Sequence, residues 1–170
     1  MRRLILFRHA KAEPRTLGGE DFDRPLADRG RHDATLVGQA LAQAGLAPDM
    51  ALISPARRAA ETWIHAKEAF PRIRAELDRN LYNASPEDIR DAIDRVADRS
   101  DTLMVVGHNP GLHELAVELL VDASAAHADV ERVAARFPTA TAAVYDIDSA
   151  GRARLDGLFL AKELGGEGDG

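Results

Sequence analysis

The sequence predicts an α/β fold: a single domain built on a mainly parallel sheet, with helices on both faces in three layers. Three observations predict it. Short apolar runs recur at Leu4-Ile5-Leu6-Phe7, Met50-Ala51-Leu52-Ile53 and Thr102-Leu103-Met104-Val105-Val106. Each is too short for an amphipathic helix and too apolar for a solvated loop, as expected of strands covered on both faces. Segments with helical spacing lie between the runs, and that alternation implies crossover connections and parallel pairing. A chain of 170 residues suffices for one domain with a sizeable core.

Taken in order, the first strand covers 4–7 and runs directly into Arg8-His9. A polar connection over 12–28 follows, containing Pro14, Gly18, Gly19 and Pro25. Connections of this length either carry function or are disordered. Ala34, Leu36, Val37, Ala40, Leu41 and Ala44 fall on one stripe of a helix over 29–44, which Gly45 ends. After the second strand, over 50–53, Ser54 reads as an N-cap and Pro55 as a first helical residue. They open a helix to about residue 69, stopped by Pro71. A short strand is expected over 74–77. Ser85-Pro86-Glu87-Asp88 opens a third helix to about residue 97, whose Ile89, Ala92, Ile93 and Val96 face the core. The third apolar run, over 102–106, leads into a tight turn, Gly107-His108-Asn109-Pro110-Gly111, and a helix over 112–120. The β-rich stretches 142–147 and 154–160 flank Asp148-Ser149-Ala150-Gly151, forming an antiparallel hairpin at a sheet edge. The domain is expected to span 1–163. Residues 164–170, glycine-rich and acidic, read as a flexible tail.

Composition narrows the function. The net charge of −6 argues against a general nucleic-acid binder, which carries a basic balance or stripe. The absence of cysteine removes disulfides, thiolate nucleophiles and thiolate metal sites. Met1-Arg2-Arg3 precedes only four apolar residues, short of the about 7–15 of a signal peptide, and no run approaches the roughly 18 of a membrane span. A cytoplasmic protein without a membrane partner is expected.

The three apolar runs end in Arg8-His9, in Ser54 one turn before Arg57 and Arg58, and in Gly107-His108. In a parallel sheet all three ends share one edge, where open α/β sheets bind ligands. Two histidines and at least two arginines then meet in one pocket, beside helix N-termini that favour negative charge. Such a cluster in an acidic protein calls for an anion. Arginine's forked donors match phosphoryl oxygens. A neutral imidazole is a nucleophile toward phosphorus, and nearby arginines disfavour its protonation. The residues therefore support phosphoryl transfer. Arg57 is a register rival to Arg58. Lys11 reads as a rim residue or a solvated cation. His113 lies five residues after His108, which is not the spacing of a helical zinc pair. His32, His65 and His127 read as surface or packing residues.

The pattern resembles the histidine phosphatase superfamily, the phosphoglycerate mutase-like group, and within it the small SixA-type phosphohistidine phosphatases. The resemblance rests on four motifs in family order. They are Arg8-His9-Ala10; Asp23-Arg24-Pro25-Leu26 leading to Arg29-Gly30; Ser54, Pro55, Arg58, Ala59 and Thr62; and Gly107-His108-Asn109-Pro110. It implies the phosphoglycerate mutase-like fold and a role for each matched residue. His9 would be the nucleophile, carrying a transient phosphoryl group. Arg8, Arg24 and Arg58 would hold the phosphoryl oxygens, and His108 would complete the pocket. No metal or other cofactor is implied, since arginines supply the charge stabilisation.

Many relatives carry an acidic proton donor before a Tyr-Gly pair. Here Leu77-Asp78-Arg79-Asn80-Leu81-Tyr82-Asn83 places Arg79 at that position, with Asp78 beside it as the candidate donor. A phosphoramidate can leave as a ring nitrogen carrying its own proton, whereas an alkoxide needs one supplied. A missing acid therefore favours an N–P substrate. The expected activity is hydrolysis of protein phosphohistidine through phospho-His9. The alternatives are a small-molecule phosphate ester phosphatase of the same superfamily and a non-catalytic module binding phosphorylated ligands. The expected partner is a phosphorylated protein or a small phosphorylated substrate.

Overall fold

The computed structural model describes residues 1–168. Six strands form one sheet: β1 (Arg3–Arg8), β2 (Met50–Ile53), β3 (Arg74–Leu77), β4 (Thr102–Gly107), β5 (Thr141–Ile147) and β6 (Ala153–Leu160). Their order is β3-β2-β4-β1-β5-β6. The first four of that order pair in parallel, and β5 and β6 add an antiparallel edge. The fold is the expected three-layer α/β/α, phosphoglycerate mutase-like architecture with a mainly parallel sheet.

Side chains alternate between the faces with the period of a strand. Leu4, Leu6, Met50, Leu52, Leu103 and Val105 join one core, and Ile5, Phe7, Ala51, Ile53, Met104 and Val106 join the other. Helices α1 (Asp28–Gln43) and α2 (Arg57–Ala66) cover the second core through Ala34, Val37, Leu41, Ala59 and Trp63. Helices α3 (Pro86–Asp94), α4 (Gly111–Asp122) and α5 (His127–Ala135) cover the first through Ile89, Ile93, Leu112, Leu115 and Val133. Burial on both faces explains why the central strands read as unbroken apolar runs.

Local chemistry accounts for the start of α3 and the end of α1. Ser85 accepts from Asp88 N–H, and Asp88 reciprocates on Ser85 N–H, a complete capping box for α3. Gly45, with φ of 72°, ends α1 as expected. Gly30 lets the first turn of α1 lie on the Lys11 carbonyl, since a Cβ there would stand 2.0 Å from that oxygen.

The structure departs from or adds to the expectations in several places. Helix α2 starts at Arg57, not beside Ser54, and its N-cap Ala56 offers no side-chain bond. The fully buried Ser54 is drawn instead to His108. The connection over 12–28 contains a 3-10 turn at Asp21–Asp23. Helix α5 had no counterpart in the sequence reading, because Val133 is its sole buried side chain and gives no periodic stripe. In α1 the buried positions are Gly30, Asp33, Ala34, Val37, Gly38 and Leu41, while Ala44 is exposed.

Residues 164–168 of the expected tail pack on the domain. Leu164 lies against the second core. Glu167 N–H and Gly168 N–H each donate to the carboxylate of Asp33 at 3.0 Å. Asp169 and Gly170 lie outside the described residues. Among the described residues, no helix is long and apolar enough to cross a membrane.

Candidate active site

Because β4 lies between β1 and β2, the three strand ends sit side by side. The ladder continues one residue past them: His9 N–H donates to Gly107 O at 3.0 Å and Ser54 N–H to Val106 O at 2.9 Å. His9 and His108 therefore become neighbours, with ring centroids 5.2 Å apart.

His9 is 8% exposed. Its Nδ1 stands 2.7 Å from Ala10 O. A carbonyl can only accept, so Nδ1 carries the proton and the lone pair of the neutral ring is on Nε2. Arg58 Nε–H donates to that Nε2 at 3.3 Å. The His9 pKa is lowered to about 3, first by burial, against the Ala10 hydrogen bond, and then by the charges of His108, Arg58 and Arg8. Burial is thus the leading cause, ahead of the arginine charge emphasised from the sequence. His108 is lowered to about 4, by burial first and Arg58 second. Its Nε2 lies 2.7 Å from Ser54 Oγ. Both rings are neutral near pH 7.

Thr62 explains the spacing of its motif. Its hydroxyl donates to Arg58 O at 2.7 Å, one turn back, and accepts Ala10 N–H at 2.9 Å. It thereby ties the first turn of α2 to the chain just after His9. Arg58 is 6% exposed and faces His9, whereas its register rival Arg57 is turned outward onto Glu61 at 2.8 Å. Arg8 Nη1 donates to Phe137 O at 2.9 Å, a carbonyl that also accepts from Asn109 Nδ2.

The arginines converge on a residue the sequence reading passed over. Asp21 Oδ2 accepts from Arg58 Nη2 at 3.1 Å and from the Tyr82 hydroxyl at 2.7 Å. Asp21 Oδ1 accepts from Arg24 Nη1 at 3.1 Å, and Asp21 O accepts from Arg58 Nη1 at 2.8 Å. These bonds, led by the Tyr82 hydroxyl, hold the Asp21 carboxyl down at about 2, and Asp21 pushes the Tyr82 pKa up. Arg24 reaches the site through Asp21, with its Nε on Glu13 O at 2.8 Å. The Tyr82 ring lies edge-on to His108, with centroids 5.6 Å apart, and Arg58 Cζ stands 5.9 Å from the Tyr82 centroid.

Asp78 is engaged elsewhere. Its Oδ1 accepts from Asn80 N–H at 2.9 Å and its Oδ2 from Arg95 Nη2 at 2.7 Å. Arg79 is exposed. His113 Nε2 lies 2.8 Å from Val133 O and its ring stacks on Phe137, while His127 pairs with Glu131 on the surface. The missed residues are Ser54 as a partner of His108, Tyr82 and Asp21. The signals available were the length of the 12–28 connection and the position of Asp21, three residues before Arg24.

Residues 4–99 match the model of the histidine phosphatase superfamily, branch 1, and the chain belongs to that superfamily. The uncharacterized protein Rv1276c of Mycobacterium tuberculosis is 40% identical over 137 residues, which cover 81% of this chain and 84% of the relative. A solved structure from Agrobacterium tumefaciens, assigned as the phosphohistidine phosphatase SixA, is 29% identical with a TM-score of 0.83, covering 93% of this chain and 97% of that one. A second from Nakamurella multipartitia, assigned in the same way, is 26% identical with a TM-score of 0.80, covering 93% and 95%. The superfamily comprises phosphatases, so the substrates to consider are phosphorylated proteins or small molecules.

Proposed function

We propose that this protein hydrolyses phosphohistidine on a protein partner, through a phosphoryl group carried transiently on His9 Nε2 and without a metal. The observation that carries the proposal is His9 itself. Its Nδ1 proton is fixed on Ala10 O and its Nε2 lone pair faces Arg58. A ring that stays neutral well below pH 7 keeps that lone pair unprotonated, and it attacks once the Arg58 Nε–H turns from it to the entering phosphoryl group.

In the first step Nε2 attacks phosphorus and the P–N bond of the substrate breaks. The substrate imidazole leaves with the bond pair and keeps the proton on its other nitrogen. Arg8, Arg58 and Arg24 hold the phosphoryl oxygens as negative charge builds. His108, fixed by Ser54, completes the pocket. Water then attacks the phosphoryl group on His9, releasing inorganic phosphate and regenerating the neutral ring. The N–P assignment is supported by Asp78, whose two oxygens are already held by Asn80 and Arg95. It is supported also by the likeness to two structures assigned as phosphohistidine phosphatases. We assign the catalytic unit to residues 1–163, with 164–170 as a terminal extension, and place this cysteine-free chain in the cytoplasm.

The test is phosphate release from a phosphohistidine-bearing protein and from simple phosphate esters in EDTA, with His9→Ala beside the wild type. Release from phosphohistidine that survives EDTA, exceeds ester hydrolysis and vanishes in the variant is expected. Faster ester hydrolysis would move the substrate to small molecules. Phosphate binding without turnover of either substrate would replace the enzyme with a binding module.

A further inference from the structure

We propose that Asp21 is a resident anion of the phosphoryl site, and that its carboxylate must yield the arginine donors before a phosphoryl group can take them. This rests on the phosphatase reading above. The donors are the same: Arg58 Nη2 and Arg24 Nη1, which that reading gives to the phosphoryl oxygens, both end on the Asp21 carboxylate. Tyr82 O–H adds a third bond to it. Two anions cannot share these donors at hydrogen-bond distance without strong repulsion.

The placement of Asp21 suits exchange. Its side chain is 40% exposed, against 8% for Arg58, so the carboxylate can swing into water while the guanidinium stays. It lies in the 3-10 turn at Asp21–Asp23, which has no buried residue. The preceding residues 13–18 are exposed, and Gly18 has φ of 77°. Arg58 is meanwhile held at its backbone, where its carbonyl accepts from the Thr62 hydroxyl in the first turn of α2. Asp21 is therefore a positioning residue that sets affinity for the phosphoryl group. It holds the arginines aligned and charge-balanced, and it competes with every anion that enters.

The experiment measures the dissociation constant of inorganic phosphate by calorimetry at pH 7. The variants are Asp21→Asn, Asp21→Glu and Asp23→Asn, the last removing one negative charge two residues away. Asp21→Asn is expected to bind phosphate about tenfold more tightly than the wild type. Asp21→Glu and Asp23→Asn should stay within about twofold. In turnover, Asp21→Asn should lower KM with kcat within about threefold, and Asp21→Glu should restore the wild-type KM. Equal tightening in Asp21→Asn and Asp23→Asn would reduce the effect to net charge and overturn the proposal. Weaker binding in Asp21→Asn would overturn it too, making the carboxylate a required brace for the arginines. If the wild type releases phosphate from phosphohistidine but Asp21→Asn changes neither constant, the inference falls and the phosphatase reading stands. If no variant binds phosphate or turns over, both fall.

Discussion

Asp21 and Asp33 lie twelve positions apart on either side of the start of α1, and each accepts several hydrogen bonds. Their surroundings differ in kind. Asp33 is fully buried and receives the backbone N–H groups of Glu167 and Gly168. Asp21 is partly exposed and receives two arginines and a tyrosine hydroxyl. A buried backbone donor such as Gly168 N–H is costly to leave unpaired, so Asp33 is a structural anchor for the C-terminal segment. Cationic side chains whose present partner is open to water can take another anion, so Asp21 sits where function can displace it. A carboxylate's role is thus read from its donors and from its access to water, not from its residue type.

The site side of this comparison should be sensitive to acid. His9 and His108 are held neutral, with pKa values lowered to about 3 and about 4, and burial leads in both. Unfolded histidine takes up a proton near 6.5, so the unfolded state binds more protons at mildly acidic pH. Stability is then full above about pH 6.5 and is lost as pH falls toward the folded values. Urea denaturation should show about 4 kcal/mol lost between pH 7 and pH 5 from the two rings together, of which His9→Ala and His108→Ala each remove about half. A stability curve flat over that range would break the account of the buried site.

The anchor side should respond to substitution. Asp33→Ala orphans one buried and one partly buried N–H group and should cost about 1–3 kcal/mol in the same assay, with phosphate affinity within about twofold of the wild type. Asp21→Ala should show the reverse, with stability within about 1 kcal/mol and tighter phosphate binding. If both variants lose stability alike, the distinction fails. Deleting 166–170 sharpens it, because Asp33→Ala in that background should cost less than about 1 kcal/mol, its donors having gone with the segment. The smallest effect belongs to Tyr82→Phe, which removes one of the bonds to Asp21 and should tighten phosphate binding about threefold.

The sequence carried the parts of this picture that depend on local pattern. Strands β1, β2 and β4 were legible as apolar runs because both faces of each are buried. Their ends placed Arg8, His9, Arg58 and His108 together because parallel strands share an edge. What escaped were partnerships made only in three dimensions. Ser54 looked like a helix cap because nothing local shows His108 beside it. Asp21 gains its role from Arg58 and Tyr82, which lie 37 and 61 residues away. Residues 164–170 read as a flexible tail on composition, yet Asp33, 134 positions before Glu167, accepts from Glu167 and Gly168. Helix α5 lacked an apolar stripe because it meets the core through Val133, with only the half-buried Val130 beside it.

The most direct test of the central claim is to quench the protein during turnover of a phosphohistidine-bearing partner and locate the phosphoryl group by mass spectrometry. An acid-labile phosphoryl group on His9, absent from His9→Ala, is expected. Phosphate release at the wild-type rate with no phosphoryl group on His9, or with His9→Ala still active, would contradict it.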